Sequence, residues 1–180
     1  MTLNPDCERL LLSEEEIKEG VARAAAFVKE KTEGTNPLFV CILKGSVVFF
    51  ADLIRQIDMP LCIDFMSVSS YGSSTTSAEL HIRQDLKTDV TGRDLVIVED
   101  IIDSGKTIYF LKHYFEKKGA KSVMTVTLLD KPERRVVDLK TDFSCFEIED
   151  EFVVGYGLDY AEHYRNLPYV GILKRSVYEK

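Results

Sequence analysis

The sequence predicts an α/β fold in which a central, mostly parallel sheet is flanked by helices. Four short apolar runs bounded by turn residues have the pattern of buried strands. These runs are Pro37–Leu43, Leu61–Ser69, Leu95–Val98 and Ser122–Leu129. Helix-like segments separate most of them, and strands that alternate with helices form right-handed units that place helices on both faces of a parallel sheet.

Composition limits the domain count and the classes of function. The chain has 180 residues, of which 45% are hydrophobic, so one domain with its own core is expected. The formal net charge of −7 disfavours nucleic acid as a partner, because proteins that bind its backbone usually carry a basic face. The longest apolar runs are too short to span a bilayer, and the first residues show no signal-peptide pattern. The four cysteines form no C-x-x-C pair, so reduced thiols and a cytoplasmic location are expected.

The first helix is predicted from its cap. Ser13 and Glu16 have the spacing of a capping box, and an apolar stripe follows at helical intervals. The stripe consists of Ile17, Val21, Ala24, Ala25 and Val28. Gly34 marks the end of this helix. After the first buried strand, Lys44-Gly45-Ser46 interrupts the apolar pattern, and Val47–Gln56 then has the composition of a mostly buried helix.

A polar stretch separates the next two strands. Ser70–Ser77 contains no aliphatic residue, so it is expected to form a solvated, mobile loop. Beyond it, Ala78, Leu80 and Ile82 alternate with polar residues, which indicates a half-exposed strand. The two strands joined in this way have the form of a β-hairpin, with its loop at about residues 69–78, and the family resemblance described below implies that this loop is a lid.

The second half of the chain contains one further helix and several short strands. The helix is predicted from Ser104 to about Lys118, and Gly119 ends it. The strand at Ser122–Leu129 follows and is closed by Asp130-Lys131-Pro132. Beyond residue 140 the remaining β-like pieces are Cys145–Ile148, Phe152–Val154 and Tyr169–Leu173.

The stretch from Val96 to Thr107 is the most informative for function. A buried strand runs into two adjacent acids, Glu99 and Asp100, and a short loop then enters a helix. Ligands in open parallel sheets bind at the carboxyl ends of strands, and the free amides at the start of the next helix bind anions. Gly105 lets a phosphate approach the backbone. The segment therefore has the features of a ribose-phosphate site, although a strand-end turn with solvated acids is the alternative.

A nucleotide-binding P-loop is the nearest rival interpretation. Gly105-Lys106-Thr107 matches the last three residues of that motif, but the first glycine would fall at position 100, which is Asp100. An acid there would repel a triphosphate, whereas it suits the hydroxyls of a sugar. The spacing thus disfavours the P-loop.

The residues from Val98 to Thr107 resemble the phosphoribosyl-pyrophosphate signature of the type I phosphoribosyltransferases, in the form found in the hypoxanthine(-guanine) branch. The resemblance extends over several further motifs in the family's order. These are Leu43–Ser46, Ser69–Gly72, Asp130–Pro132, Phe152–Tyr160 and Tyr164–Pro168. Together they cover roughly Pro37 to Lys174.

The resemblance implies transfer of a phosphoribosyl group to a 6-oxopurine, with Mg²⁺ as the cofactor. The implied ribose- and phosphate-binding residues are Glu99, Asp100, Asp103, Ser104, Gly105, Lys106 and Thr107. Lys44 and Gly45 resemble the family's pyrophosphate loop, in which a cis peptide frees a backbone amide, and Arg165 matches the second pyrophosphate cation. Ser46 stands where the family has a further glycine. Ser70 and Tyr71 resemble the mobile lid.

The resemblance also assigns the catalytic and base-binding groups. Asp103 matches the group that handles the proton at purine N7, although a helix N-cap is its alternative role. Lys131 resembles the donor to the 6-oxo group, which disfavours adenine. Phe152 resembles the ring that stacks on the base, with a simple core aromatic as the alternative, and the peptide at Val153 reads the base edge. Asp159, placed beside the base and the pyrophosphate, would hold Mg²⁺ together with Glu99 and Asp100.

The resemblance completes the expected organisation. We expect a single domain over residues 1–180, with a core at about 37–140 and a small hood formed by the N-terminal segment and about residues 141–180. The family implies small-molecule substrates, neither nucleic acid nor membrane as a partner, and a homodimer or homotetramer. Two alternatives remain open: a xanthine-preferring phosphoribosyltransferase, and a regulatory RNA-binding protein built on the same fold.

Overall fold

The computed structural model describes residues 2–71 and 79–179, which form two sheets and four helices. In chain order the elements are β1 (Cys7–Leu12), α1 (Glu14–Thr32), β2 (Leu38–Leu43), α2 (Val47–Arg55), β3 (Cys62–Tyr71), β4 (Glu79–Gln84), β5 (Asp94–Ile102), α3 (Lys106–Lys117), β6 (Ser122–Asp130), β7 (Phe143–Glu147), β8 (Val153–Val154), β9 (Val170–Leu173) and α4 (Arg175–Tyr178). A 3₁₀ turn at Pro132–Arg134 follows β6.

The larger sheet has six strands in the order β4-β3-β2-β5-β6-β7. Strands β3, β2, β5, β6 and β7 are parallel, and only β4 runs antiparallel among the described strands of this sheet. Successive side chains of a strand point to opposite faces, so Phe39 and Cys41 pack with α1 and α2, whereas Val40 and Ile42 pack with α3. The predicted fold class, a mostly parallel sheet flanked by helices, is confirmed.

Local sequence signals explain where the helices begin. Ser13 and Glu16 form the predicted capping box: the Glu16 amide donates to Ser13 Oγ at 3.2 Å, and the Ser13 amide donates to Glu16 Oε2 at 2.8 Å. All five residues of the predicted apolar stripe are buried. Helix α3 begins at Lys106, two positions after the predicted start, because Gly105 is left-handed at φ +81° and cannot continue a helix.

A separate antiparallel sheet joins the two ends of the chain. It has three strands in the order β1-β9-β8. Strand β1 is absent from the predicted elements, and it pairs with β9, which is far away in sequence. The strands of this small sheet come from the N-terminal segment and from residues beyond 141, the two parts of the chain that were predicted to form the hood. However, β7 lies beyond residue 140 and belongs to the larger sheet, because it pairs in parallel with β6. Helix α1 packs against β6 and β7 of the larger sheet, and its buried residues share a core with residues of the small sheet.

Strand β3 corrects the predicted start of the lid loop. Ser70 and Tyr71 were predicted to be in a loop, but they belong to β3, where they pair with Leu80 and Glu79 of β4. Antiparallel pairing with β4 supplies the backbone hydrogen bonds that extend the strand. The rest of the predicted lid, residues 72–78, lies outside the described residues. Of the helices described here, none is long and apolar enough to cross a membrane.

Candidate active site

The carboxyl end of β5 carries two adjacent acids at the centre of the larger sheet. Glu99 and Asp100 were predicted to follow the strand, but β5 continues through both and ends at Ile102, because residues 94–102 pair with β6. Burial, and secondarily the adjacent Asp100, raises the pKa of Glu99 well above its usual value. Burial also raises the pKa of Asp100, against the opposing effects of a hydrogen bond from Glu99 and the charge of Arg165.

A small cavity lies beside these acids. Its volume is about 120 Å³, and it is lined by Glu99, Ile101, Ile102, Asp103, Ser104, Gly105, Thr107 and Ile108. Five of the seven residues predicted to bind ribose and phosphate thus meet in one place. Lys106 is exposed and does not line the cavity, and Asp100 faces Gly45 instead. Within the described part of the chain, Glu99 Oε2 is buried without a hydrogen-bond partner, so a ligand hydroxyl or a cation would satisfy it.

Gly105 has two reasons to be glycine. Its φ of +81° is unfavourable for other residues, and a Cβ would lie 2.6 Å from Cδ of Arg135. Gly105 is also the N-cap of α3, so the alternative role of Asp103 as the cap is wrong. The Asp103 carboxylate is engaged elsewhere, since Oδ1 accepts from Nε of Arg134 at 2.5 Å.

Arg134 links the two groups predicted to act on the base. Its Nε donates to Asp103, and its Nη1 donates to Asp150 Oδ2 at 2.7 Å. The second oxygen of Asp150 accepts from Lys131 Nζ at 3.2 Å, and Nζ also donates to the Glu151 carbonyl at 2.7 Å. The sequence analysis missed Arg134 and Asp150. The position of Arg134, in the turn directly after Lys131, was the only available signal.

Lys131 and Phe152 lie near one another through the segment at residues 150–152. Lys131 is buried at the end of β6, and only 8% of it is exposed. Phe152 is 37% exposed, so it is not a simple core aromatic. Its ring stacks on Tyr178 with the centroids 4.7 Å apart and meets the edge of Tyr160. Val153 is buried in β8. An exposed ring beside a buried ammonium provides a stacking surface and a hydrogen-bond donor.

Gly45 sits between the β5 acids and the loop after β8. A Cβ at Gly45 would lie 1.6 Å from Asp100 Oδ2, and a Cβ at Gly157, where φ is +101°, would lie 2.0 Å from the Gly45 carbonyl oxygen. The peptide between Leu43 and Lys44 is cis. Ser46 fits this loop, because its fully buried hydroxyl donates to the Ile42 carbonyl at 2.6 Å.

The predicted pyrophosphate cations are both paired with acids. Arg165 Nη1 donates to the Gly157 carbonyl at 2.8 Å, and its Nη2 lies 2.8 Å from Asp159 Oδ1. Glu162, which the sequence analysis missed, lies 3.0 Å from Lys44 Nζ and 3.5 Å from Arg165 Nη2. Arg165 Nε is buried and has no partner among the residues that the structure describes. One donor of the guanidinium therefore remains for a ligand.

The three predicted metal ligands do not form a single cage. Asp159 pairs with Arg165, whereas Glu99 and Asp100 lie on β5. Over residues 2–71 and 79–179, no group of three His, Cys, Asp or Glu side chains is arranged to hold a metal ion. Isolated carboxylates still suit Mg²⁺, which keeps several waters and is often shared with substrate phosphates. The donor set fits a metal that arrives with its substrate.

A larger groove of about 640 Å³ lies between α1, α2 and the loop at residues 165–168. Of the predicted site residues it touches only Arg165. The cavity at the end of β5 is smaller, but it is lined by Glu99, Asp103 and the start of α3. It is therefore the better candidate for the chemistry.

Comparison with known proteins identifies the family to which the chain is similar. The model of the phosphoribosyl transferase domain matches residues 11–161. The chain is 55% identical to the hypoxanthine-guanine phosphoribosyltransferase of Bacillus subtilis, with 97% of each chain covered. It is 53% identical to the enzyme of the same name from Lactococcus lactis, over 99% of this chain and 97% of the relative. A solved hypoxanthine phosphoribosyltransferase from Staphylococcus aureus superposes with a TM-score of 0.93 at 43% identity, covering 97% of this chain and 96% of the other.

Proposed function

The chain belongs to the phosphoribosyltransferase family, and on that premise we propose that it transfers the 5-phosphoribosyl group of phosphoribosyl pyrophosphate to N9 of hypoxanthine or guanine. The bond from the anomeric carbon to pyrophosphate breaks, and a bond to N9 forms. The products are IMP or GMP and pyrophosphate, so the enzyme salvages purine bases.

The cavity at the end of β5 is the observation that carries this proposal. It combines a buried carboxylate oxygen without a partner, on Glu99, with a glycine-led helix start at Gly105. A carboxylate accepts hydrogen bonds from sugar hydroxyls, and the free amides of a helix start bind a phosphate. A ribose 5-phosphate presents both groups at its two ends. We therefore assign the ribose diol to Glu99 and Asp100 and the phosphate to residues 104–107.

Asp103 and Lys131 act on the base. Asp103 accepts the proton that the purine releases at N7 while N9 bonds to the anomeric carbon, which is general-base catalysis. Lys131 donates a hydrogen bond to the 6-oxo group. A buried ammonium at this position would face the amino group of adenine without an acceptor, so the site selects 6-oxopurines. Phe152 stacks on the ring, the Val153 peptide reads the base edge, and Ser70 and Tyr71 contribute to the lid.

The other end of the site receives the leaving group. Arg165, Lys44 and the Gly45 amide neutralise and orient the pyrophosphate, because a guanidinium and backbone amides match phosphate oxygens. Members of this family generally depend on a metal. We assign Mg²⁺ to Asp159 on the pyrophosphate side and to Glu99 and Asp100 on the ribose side, where it would offset the negative charge of the diphosphate.

A spectrophotometric assay with four bases tests the proposal. Hypoxanthine, guanine, xanthine and adenine are each supplied with phosphoribosyl pyrophosphate and Mg²⁺. We expect turnover of hypoxanthine and guanine, and its loss when EDTA removes the metal. Turnover of adenine alone would overturn the role of Lys131, and turnover of none would overturn the function.

We also propose that the protein is a cytoplasmic homodimer or homotetramer. The four cysteines are free thiols, and three of them are buried, which suits a reducing compartment. Val47, an apolar residue at the start of helix α2, is 41% exposed and is available for a subunit contact. Light scattering of the purified protein measures the assembly, and a monomer at micromolar concentration would contradict it.

A further inference from the structure

The loop from Asp159 to Arg165 places an acid between the two cations assigned to pyrophosphate. Glu162 Oε2 lies 3.0 Å from Lys44 Nζ and 3.5 Å from Arg165 Nη2, so one carboxylate oxygen contacts both. Lys44 and Glu162 are 118 positions apart in sequence, so the fold itself brings them together. The contact spans the place where the substrate's negative charge must bind.

The backbone of this loop is held in an unfavourable conformation that points Glu162 toward the cations. Ala161, Glu162 and Tyr164 have φ values of +51°, +67° and +76°, which are uncommon for residues other than glycine. Two hydrogen bonds fix the loop: the Glu162 amide donates to Asp159 Oδ2 at 2.9 Å, and the Tyr164 hydroxyl donates to Asp6 Oδ2 at 2.8 Å. Such strain persists only where surrounding contacts impose it, and it concentrates at functional sites.

We propose that Glu162 is an internal competitor of pyrophosphate. Its carboxylate pairs with Lys44 and Arg165 when the site is empty, and the diphosphate must displace it from both. Glu162 thereby weakens binding of phosphoribosyl pyrophosphate and of the product pyrophosphate, and it favours product release. This inference rests on the proposed function, because it requires that the two cations bind a diphosphate.

The exposure of the pair agrees with a contact that a ligand can displace. The side chains of Lys44 and Glu162 are 67% and 64% exposed. An exposed ion pair changes an equilibrium constant by at most about five-fold, whereas a buried pair would lock the site. Asp159, the other acid that pairs with Arg165, is 28% exposed and is assigned to the metal. Asp159 therefore helps to bind the substrate, whereas Glu162 competes with it.

The direction in which one charge-removing substitution changes the KM and the inhibition constant tests the proposal. Glu162→Gln keeps the size of the side chain and removes its charge. We expect the KM for phosphoribosyl pyrophosphate and the inhibition constant of pyrophosphate, measured with saturating Mg²⁺ on the full chain, both to fall about two- to five-fold. Glu116→Gln, on the exposed face of α3 near its far end, makes the same change in net charge and should leave both constants unchanged.

A rise in both constants would overturn the proposal, because it would mean that Glu162 positions the cations instead of competing for them. Values equal to those of the Glu116→Gln variant would overturn it as well. Glu162→Asp provides a second measurement, since it keeps the charge but shortens the reach, and a smaller decrease is expected. Wild-type protein that transfers no phosphoribosyl group and is not inhibited by pyrophosphate would instead refute the function itself, so the two failures are distinguishable.

Discussion

The two sides of the candidate site are built differently. The sugar side consists of the end of β5 and the loop at residues 103–105, and the leaving-group side consists of Lys44, Gly45 and the loop at residues 159–165. On the sugar side a buried carboxylate oxygen of Glu99 has no partner among the described residues, and a cavity lies beside it. On the leaving-group side Lys44, Arg165, Asp159 and Glu162 are already paired with one another.

The two sides therefore differ in what a ligand would have to do on binding. The sugar side is fixed by the sheet and offers space and an unsatisfied acceptor, so a ligand completes it. The leaving-group side pairs its charged side chains with one another and leaves Arg165 Nε without a partner among the described residues, so a ligand gains that donor but must also exchange one set of ion pairs for another. Substitutions on the sugar side should therefore affect turnover, and charge substitutions on the leaving-group side should affect binding.

The largest effect is expected from Asp103→Asn. The amide cannot accept the proton from N7, so turnover should fall by about 10²–10⁴-fold, while the KM for phosphoribosyl pyrophosphate changes much less. Steady-state kinetics with hypoxanthine measure both. Asp58→Asn is a matched control, because Asp58 also forms a surface ion pair, with Lys29 at 2.5 Å, and lies in the connection between α2 and β3, far from Asp103 in sequence. Wild-type turnover in the Asp103 variant would remove Asp103 from the mechanism.

Gly45→Ala tests a point where the two sides touch. The new methyl group would lie 1.6 Å from Asp100 Oδ2, so either the acid or the pyrophosphate loop must move. Displacement of catalytic groups by about 1 Å can cost about 100-fold, and we expect a loss of that order in kcat/KM. Gly92→Ala is the control: its φ of +70° is strained for alanine, but nothing lies within 4 Å. Gly92→Ala should lower the melting temperature without lowering activity. An equal loss of activity in Gly45→Ala and Gly92→Ala would indicate a general folding defect.

A smaller effect is expected from Arg134→Met. The substitution leaves Asp103 without its 2.5 Å partner and detaches Asp150 from the sugar side. We expect kcat/KM for hypoxanthine to fall about three- to ten-fold, with the KM for phosphoribosyl pyrophosphate nearly unchanged, because Asp103 acts on the base, Asp150 contacts Lys131, which also acts on the base, and the exposed pairs are individually weak. Arg93→Met removes a cation at the opposite end of β5 and should have no effect. An equal change for both substrates would contradict a role confined to the base.

The sequence predicted the sugar side well because its signals are local. Strands β2, β5 and β6 are nearly continuous apolar runs, and the acids follow the apolar part of β5 directly. The prediction ended β5 too early, because acids have low strand propensity and only pairing with β6 keeps them in the strand.

The missed residues depend on contacts between distant parts of the chain. Strand β1 has exposed residues at three of its six positions and forms because β9, at the other end of the chain, pairs with it. Arg134 and Glu162 look like ordinary surface charges in the sequence. Arg134 pairs with Asp103, 31 positions away, and Glu162 pairs with Lys44, 118 positions away, and no local pattern indicates these two contacts.

The smallest effect is expected from Ser46→Gly, which alters the loop on the leaving-group side without changing its charge. Ser46 belongs to the leaving-group loop, but its hydroxyl points into the protein and donates to the Ile42 carbonyl at 2.6 Å. Loss of this bond and the greater backbone freedom of glycine should together cost about 1–2 kcal/mol, or about 3–6 °C in melting temperature. Activity should stay within about two-fold of the wild type, because no charge on this side changes. Ser46→Ala removes the hydroxyl but keeps the backbone restricted, so it should lose less stability. If Ser46→Gly instead impaired turnover as much as Gly45→Ala, shape would govern the leaving-group side as well, and the contrast between the two sides would fail.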